Sequence, residues 1–136
     1  MVTCVLDASI TVAALIEEER SDEARGVFRA IIDGSAVVPG LWALEVGNIL
    51  LILERRRVLS AIARREHLDD LSRLPIVVDH ETTARAWQET MTLAERHVLT
   101  LYDAAYLELS LRRQLPLATF DEALRKAAAA VNVHVL

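Results

Sequence analysis

Short apolar runs alternate along the chain with longer segments in which apolar residues recur every three or four positions. The short runs are typical of strands buried on both faces, and the longer segments predict amphipathic helices. The first run extends from Val2 to Leu6, and a helical pattern follows it from about Ile10 to Glu18. A second helix is predicted to begin at Ser21 and to end before Gly34, because polar residues mark its start and glycine its end.

The same alternation continues to the C-terminus. Further strands are predicted over 36–38, 76–79, 115–118 and 131–136, and further helices over 41–56, 60–71, 80–96, 101–113 and 119–130. Thr100 and Thr119 are predicted to cap the last two of these helices. Strands that alternate with helices, without hairpin signals, predict an α/β fold whose parallel sheet of about four or five strands is flanked by helices.

Composition is consistent with one globular domain. Hydrophobic residues make up 53% of the 136 residues and charged residues 26%, which excludes a disordered chain. We find no repeat, low-complexity tract or linker, so residues 1–136 are predicted to form a single domain. No apolar window is long enough to span a membrane, and no secretory signal precedes the first strand. The single cysteine, Cys4, lies inside that strand, which predicts a buried thiol and a cytoplasmic location.

The charge pattern argues weakly against a broad electrostatic nucleic-acid binder. The net charge is −5, and of 15 cationic residues only Lys126 is lysine. Arginines occur in groups at 55–57, 64–65 and 112–113. Arginine suits bidentate contact with phosphate, but such groups are also common at solvated helix ends. The sequence leaves both interpretations of these groups open.

Four acidic residues stand close to predicted strand ends or helix starts: Asp7, Glu45, Asp103 and Asp121. Each has a local explanation as a helix cap, a first-turn charge or an exposed acid. Together they suggest a site, because the carboxyl ends of parallel strands meet at one edge of a sheet. Converging carboxylates repel one another unless a cation neutralises them, and oxygen ligands alone favour Mg²⁺ or Mn²⁺. Such ions activate water in phosphodiester cleavage.

Four motifs in this order resemble those of PIN-domain ribonucleases, and most closely those of VapC toxins from toxin–antitoxin pairs. They are Leu6-Asp7-Ala8-Ser9, the segment 39–48 (PGLWALEVGN), Tyr102-Asp103-Ala104-Ala105-Tyr106 and Leu117-Ala118-Thr119-Phe120-Asp121. The resemblance implies an α/β/α sandwich and a metal-dependent endoribonuclease. It further implies homodimerisation, an RNA substrate and inhibition by a VapB-type antitoxin whose C-terminal segment covers the site.

The resemblance also assigns roles to residues of this chain. It implies that Asp7, Glu45 and Asp103 bind Mg²⁺ or Mn²⁺, with Asp121 as the fourth acid. Ser9, Asn48 and Thr119 match polar positions that commonly line such a site. On this hypothesis Asp7 and Asp103 hold the main ion, Glu45 ligates it or orients its water, and Asp121 binds a second ion or contacts the first through water. Cleavage would leave a 5′-phosphate and a 3′-hydroxyl.

The aromatic residues have less specific expectations. Tyr106 is expected to pack in the core or to face the cleft, and Trp42 and Trp87 to anchor the core or an interface. The apolar faces of the first four helices exceed what one small core needs. Part of that surface is therefore expected to serve a dimer or the antitoxin.

Three alternatives stay open at this point. A phospho-receiver domain also has acids at strand ends, and Asp79 partly matches its phosphorylated position, but Asp7 is single and Lys126 lies mid-helix. The same fold could serve only as a binding partner, without catalysis. A PIN-type nuclease could also act outside a toxin–antitoxin pair, in ribosomal RNA processing or on DNA flaps.

Overall fold

The computed structural model describes residues 1–136 and contains four strands and eight helices. The strands are β1 (Cys4–Leu6), β2 (Ala36–Pro39), β3 (Ile76–Asp79) and β4 (Leu117–Ala118). The helices are α1 (Ala8–Leu15), α2 (Ser21–Asp33), α3 (Leu41–Arg55), α4 (Ala61–Ser72), α5 (Thr82–Arg85), α6 (Met91–His97), α7 (Leu101–Arg113) and α8 (Glu122–Ala130), and a π-helical segment, Ala86–Thr90, joins α5 to α6. None of these helices is both long enough and apolar enough to cross a bilayer.

The four strands form one parallel sheet in the order β3–β2–β1–β4, which confirms the predicted fold class. Val5 at the centre of the sheet pairs with Val37 on one side and with Leu117 on the other. The chain moves outward from β1 to β3 and then returns past β1 to β4. Right-handed crossovers therefore place α1 to α4 on one face of the sheet and α5 to α7 on the other. The packing agrees: α1 contacts α2 and α3, whereas α7 contacts β1, β2 and β4.

The hydrophobic core lies between β1, β2 and the helices on either face. The apolar stripe of α3 places Val46 and Leu50 in this core, and α7 contributes Tyr106 and other fully buried residues. Cys4 is completely buried, as predicted, and burial raises the pKa of its thiol to about 12. Because the thiolate is the reactive form, this cysteine is an inert core residue.

The predicted fifth strand over 131–136 is wrong. The chain instead turns at Asn132, whose φ is 59°, and only Val135 forms a β-bridge, with Leu117. β4 is too short to support a longer ladder, since the chain leaves the sheet after Ala118.

Two predicted helices also differ in extent. The predicted helix over 80–96 is divided into α5, the π-helical segment and α6. The first helix begins at Ala8, two residues before the predicted start, and ends at Leu15. Its early start has a local cause, because the Asp7 side chain accepts the Ala8 N–H and caps the helix.

Candidate active site

The candidate site, called the cleft below, lies beyond the carboxyl ends of β1 and β4, the two neighbouring strands from which the chain departs to opposite faces of the sheet. β1 leads into α1 on one face, and β4 leads into α8, which packs on α7 at the other. Such a switch point leaves a crevice where ligands commonly bind in parallel α/β folds. Asp7 follows β1 directly, and its N–H donates to the carbonyl oxygen of Ala118 in β4 at 3.0 Å. The ends of the two strands are thus joined at the base of the cleft.

Asp7 is buried at this base and accepts three hydrogen bonds. Its Oδ1 accepts the N–H of Ala8 at 2.8 Å, and its Oδ2 accepts the hydroxyls of Ser9 at 2.7 Å and Thr119 at 2.6 Å. Burial raises the pKa of Asp7, the three hydrogen bonds lower it, and the charge of Asp121 raises it again. The net pKa is raised, so the carboxylate is oriented firmly but its charge is only partly compensated.

Thr119 does not cap α8, contrary to the prediction. Asp121 is the N-cap residue, and its Oδ1 accepts the N–H of Leu124 at 2.8 Å. The fully buried Thr119 hydroxyl instead donates to Asp7 and accepts the N–H of Asp121 at 3.1 Å. The hydroxyl therefore makes a charge-assisted hydrogen bond to Asp7, while its oxygen accepts an N–H too early in the chain to cap α8. Thr119 thus links Asp7 to Asp121, the first and the last of the four predicted site acids.

Glu45 reaches the cleft from the first turns of α3 and is half-buried. The hydroxyl of the fully buried Tyr106 donates to its Oε1 at 2.7 Å. Burial raises the pKa of Glu45, the Tyr106 bond lowers it, and the charges of Asp7 and Asp103 raise it. Tyr106 therefore satisfies both predictions at once, because its ring packs in the core while its hydroxyl faces the cleft.

Asp103 lies in the first turn of α7, where the Thr100 side chain caps the helix as predicted. The Thr100 hydroxyl accepts the N–H of Asp103 at 3.1 Å. The pKa of Asp103 is raised, first by burial and then by the charges of Asp121 and Asp7. Asp7, Asp103 and Asp121 each raise the pKa of at least one neighbouring acid, and Glu45 is among the acids affected, so the structure places all four near one another.

The chemical type of the ligand atoms in this cleft suits a hard divalent cation. All four side chains offer oxygen only, which Mg²⁺ and Mn²⁺ prefer. No three Asp, Glu, His or Cys side chains of the molecule are grouped tightly enough to bind one ion as they stand. Mutual repulsion and the hydrogen bonds to Asp7, Glu45 and Asp121 hold the carboxylates apart. They must turn toward one another to share a cation. Asn48, a predicted supporting residue, is exposed on α3 one turn beyond Glu45.

Three residues at the rim of the cleft carry no sequence signal of their own. The guanidinium carbon of Arg20 lies 3.8 Å from the centroid of the Phe120 ring. Arg125 donates from Nη1 to the carbonyl oxygen of Thr119 at 2.9 Å. Phe120 lies between Thr119 and Asp121 in the chain, and only this proximity to two predicted site residues indicates from the sequence that it lies near the cleft.

The grouped arginines are partly engaged within the protein. Arg112 forms a bidentate ion pair with Asp79, at 3.0 and 2.8 Å, and Arg64 pairs with Glu54. The Arg112 guanidinium lowers the pKa of Asp79 to about 2. Asp79 is thus the buried partner of an arginine and is not free to accept a phosphoryl group, which a phospho-receiver domain requires.

Comparisons with known proteins agree with this architecture. The sequence matches the PIN domain family over residues 4–130. It is 33% identical to Ribonuclease VapC1 of Mycobacterium tuberculosis over 126 residues, which are 91% of this chain and 90% of the relative. The crystal structure of PAE2754 from Pyrobaculum aerophilum shares 26% identity at a TM-score of 0.69 and covers 93% of this chain and 84% of the other. VapBC2 from Rickettsia felis, crystallised with a DNA fragment from its promoter, has a similar fold at 15% identity and a TM-score of 0.67, with 100% of this chain and 98% of the other covered.

Proposed function

Because the chain belongs to the PIN domain family, we propose that it is a VapC-type toxin, a ribonuclease that cleaves RNA phosphodiester bonds with Mg²⁺ or Mn²⁺. One observation carries this proposal: four carboxylates from distant parts of the sequence lie near the β1/β4 switch point, and the pKa values of Asp7, Glu45 and Asp103 are raised by burial and by the charges of neighbouring carboxylates. Such crowding is unfavourable unless a cation offsets it. The relatedness to a protein named a ribonuclease supports RNA as the substrate.

Each acidic residue has a proposed role. Asp7, Glu45 and Asp103 hold the divalent cation, and Asp121 supplies the fourth carboxylate. When bound, the ion lowers the pKa of a water molecule and stabilises the departing oxygen of a phosphodiester. Ser9 and Thr119 orient the Asp7 carboxylate and keep it ionised. Tyr106 does the same for Glu45, and the raised pKa of its phenol keeps it a hydrogen-bond donor.

Cleavage of an end-labelled RNA by the purified protein tests the proposal. We expect cleavage in Mg²⁺ or Mn²⁺ and none in EDTA, with 5′-phosphate and 3′-hydroxyl ends. Asp7→Asn should abolish cleavage while the fold persists, and Asp33→Asn, at an exposed aspartate that ends α2, should cleave at the wild-type rate. An Asp7→Asn protein with full activity would remove the central role given to this carboxylate. A domain that serves only as a binding partner would show no metal-dependent cleavage at all.

The proposed partner is a VapB-type antitoxin in the cytoplasm. The R. felis structure that shares this fold is of a VapBC protein, which supports the pairing. The reading frame beside the gene should encode the antitoxin, and its co-expression should relieve growth arrest on induction. Sequencing the 5′ ends of cleaved RNAs after brief induction would identify the target. Growth that is unaffected by induction, despite cleavage in vitro, would favour a PIN nuclease outside a toxin–antitoxin pair.

Homodimerisation is part of the same proposal. Leu44 and Tyr102 are largely exposed and line one groove of about 360 Å³ together with Ala86, and the adjacent Trp87 is 85% exposed. Apolar surface of this kind is typical of an interface. We expect a dimer by light scattering coupled to size-exclusion chromatography, and Leu44→Glu should shift the protein toward monomer because it places a charge in the groove.

A further inference from the structure

We propose that Arg20 and Arg125 form a phosphate-binding rim beside the carboxylate cleft, with Phe120 positioning Arg20, and that this rim holds the backbone of single-stranded RNA. The inference rests on the proposed nuclease function and adds the residues that hold the substrate. It explains how a cleft lined by four acids, in a chain of net charge −5, attracts a polyanion.

Arg20 is held in place by two contacts. Its guanidinium stacks over the Phe120 ring at 3.8 Å, and its Nη2 donates to Glu23 Oε2 at 2.8 Å. Stacking on an aromatic ring fixes the plane of a guanidinium without using its hydrogen-bond donors. The side chain is still 40% exposed, and Glu23 accepts only one of its five N–H donors. Arg20 is therefore ordered in advance and available to a ligand.

The stacked ring belongs to the loop that builds the cleft. Phe120 lies between Thr119 and Asp121, and its N–H donates to the Ser9 hydroxyl at 3.2 Å. Ser9 in turn donates to Asp7. A phosphate that binds Arg20 is thus placed at the edge of the cleft, beside the carboxylates rather than on a remote surface.

Arg125 extends the same rim from α8. Its Nη1 donates to the Thr119 carbonyl oxygen at 2.9 Å, which uses one of its five donors. Glu23 lies near both guanidinium groups: its pKa is lowered mainly by its hydrogen bond to Arg20 and further by the charges of Arg20 and Arg125. Arg20 stacks on Phe120 and Arg125 bonds to the adjacent Thr119, so the two arginines pack on the same loop and can contact neighbouring parts of one RNA strand.

The exchange of Glu23 for a phosphate costs little. Glu23 is 63% exposed, and exposed ion pairs contribute little to stability. Arg112, by contrast, is bound to two buried carboxylates and is unavailable. Arginine at both rim positions suits the bidentate geometry that phosphate recognition requires.

The test measures RNA binding in an Asp7→Asn background, where cleavage does not interfere. A fluorescent single-stranded RNA is titrated with protein in EDTA at several salt concentrations. We expect Arg20→Ala and Arg125→Ala each to weaken binding about eightfold at roughly 50 mM salt, because one phosphate contact contributes about 0.7 to the salt slope for single strands. The control is Arg65→Ala, at an exposed arginine of α4, which should bind as tightly as the Asp7→Asn parent.

Two further measurements distinguish lost phosphate contacts from a general loss of stability. Thermal denaturation should give every variant the parent's melting temperature within a few degrees, and Arg20→Lys, which keeps the charge but not the planar fork, should bind with intermediate affinity. Unchanged affinity and salt slope in Arg20→Ala and Arg125→Ala would overturn the rim, as would equal losses in Arg65→Ala. If the wild-type protein fails to cleave RNA but its binding still depends on the two arginines, the proposed nuclease function is refuted and the phosphate-binding rim is not.

Discussion

Replacing Arg112 with alanine should destabilise the protein strongly, because it removes the guanidinium that pairs with two buried carboxylates, Asp79 and Glu108. Arg112 is 13% exposed and donates from all three nitrogens, to Asp79 at 3.0 and 2.8 Å and to Glu108 at 2.8 and 3.2 Å. The side chains of Asp79 and Glu108 are only 5% and 4% exposed. The network ties the end of β3 to α7, the helix that also carries Asp103 and Tyr106.

The size of the effect follows from these contacts. The drop in the pKa of Asp79 from 3.8 to about 2 corresponds to about 2 kcal/mol of stabilisation for that carboxylate alone. Removal of one partner from a buried ion pair costs about 3–5 kcal/mol, since the remaining charge is left desolvated. A domain of this size has a free energy of unfolding of roughly 5–15 kcal/mol. The Arg112→Ala protein should therefore fold at 25 °C but melt on the order of 10 °C lower.

Urea unfolding followed by circular dichroism measures this loss, and its pH dependence identifies the cause. In the wild-type protein the folded pKa of Asp79 lies below the unfolded value, so its stabilisation is present above about pH 4 and is lost as the pH falls toward about 2. In Arg112→Ala, burial becomes the largest influence on the Asp79 carboxyl, so its folded pKa should rise. The penalty should be full at pH 7 and should shrink as the pH falls to about 4.

Arg113→Ala is the matched control, because Arg113 is the exposed neighbour of Arg112 on the same helix. Its free energy of unfolding should stay within about 0.5 kcal/mol of the wild type. A loss below about 1 kcal/mol in Arg112→Ala, or a loss that does not change between pH 7 and 4, would refute the reasoning and reduce the network to an ordinary surface ion pair.

The remaining predictions concern the cleft. Asp103→Asn should raise the melting temperature in EDTA at neutral pH, because it removes a carboxylate that is unfavourable in its charged form: burial and two neighbouring carboxylates raise its pKa. The same substitution should abolish the further rise in melting temperature that Mn²⁺ gives the wild-type protein. Tyr106→Phe should cost about 1 kcal/mol in urea unfolding. The Tyr106 hydrogen bond lowers the pKa of Glu45, so its loss should raise that pKa and move the acidic limb of the pH–activity profile to higher pH. An acidic limb that does not move would show that Glu45 takes no part in the chemistry. Thr119→Val should lose about 1 kcal/mol of stability, because it removes one of the two hydroxyls that donate to Asp7 Oδ2, whereas Thr119→Ser should retain most of that stability.

The sequence by itself determined the class of fold and the position of the four acids along the chain. Both depend on local signals: apolar periodicity separates strands from helices, and the alternation of the two permits few sheets other than a parallel one. The cap at Thr100 was equally readable, because the hydroxyl and the N–H it accepts are three residues apart. The predicted fifth strand over 131–136, in contrast, does not form. Its formation depends on the length of the neighbouring strand β4, which has only two residues, and not on its own apolar residues.

Only the tertiary structure decided which side chains meet. Thr119 follows a capping pattern, but in the fold its hydroxyl donates to a buried carboxylate 112 residues away and accepts the N–H of Asp121, and Asp121 caps α8 instead. Tyr106 and Glu45 are 61 residues apart, and Arg112 and Asp79 are 33 apart. The stacking of Arg20 on Phe120 likewise follows from the placement of the α1–α2 turn beside the β4–α8 loop. Such contacts depend on distances across the fold, which local patterns of polarity do not encode.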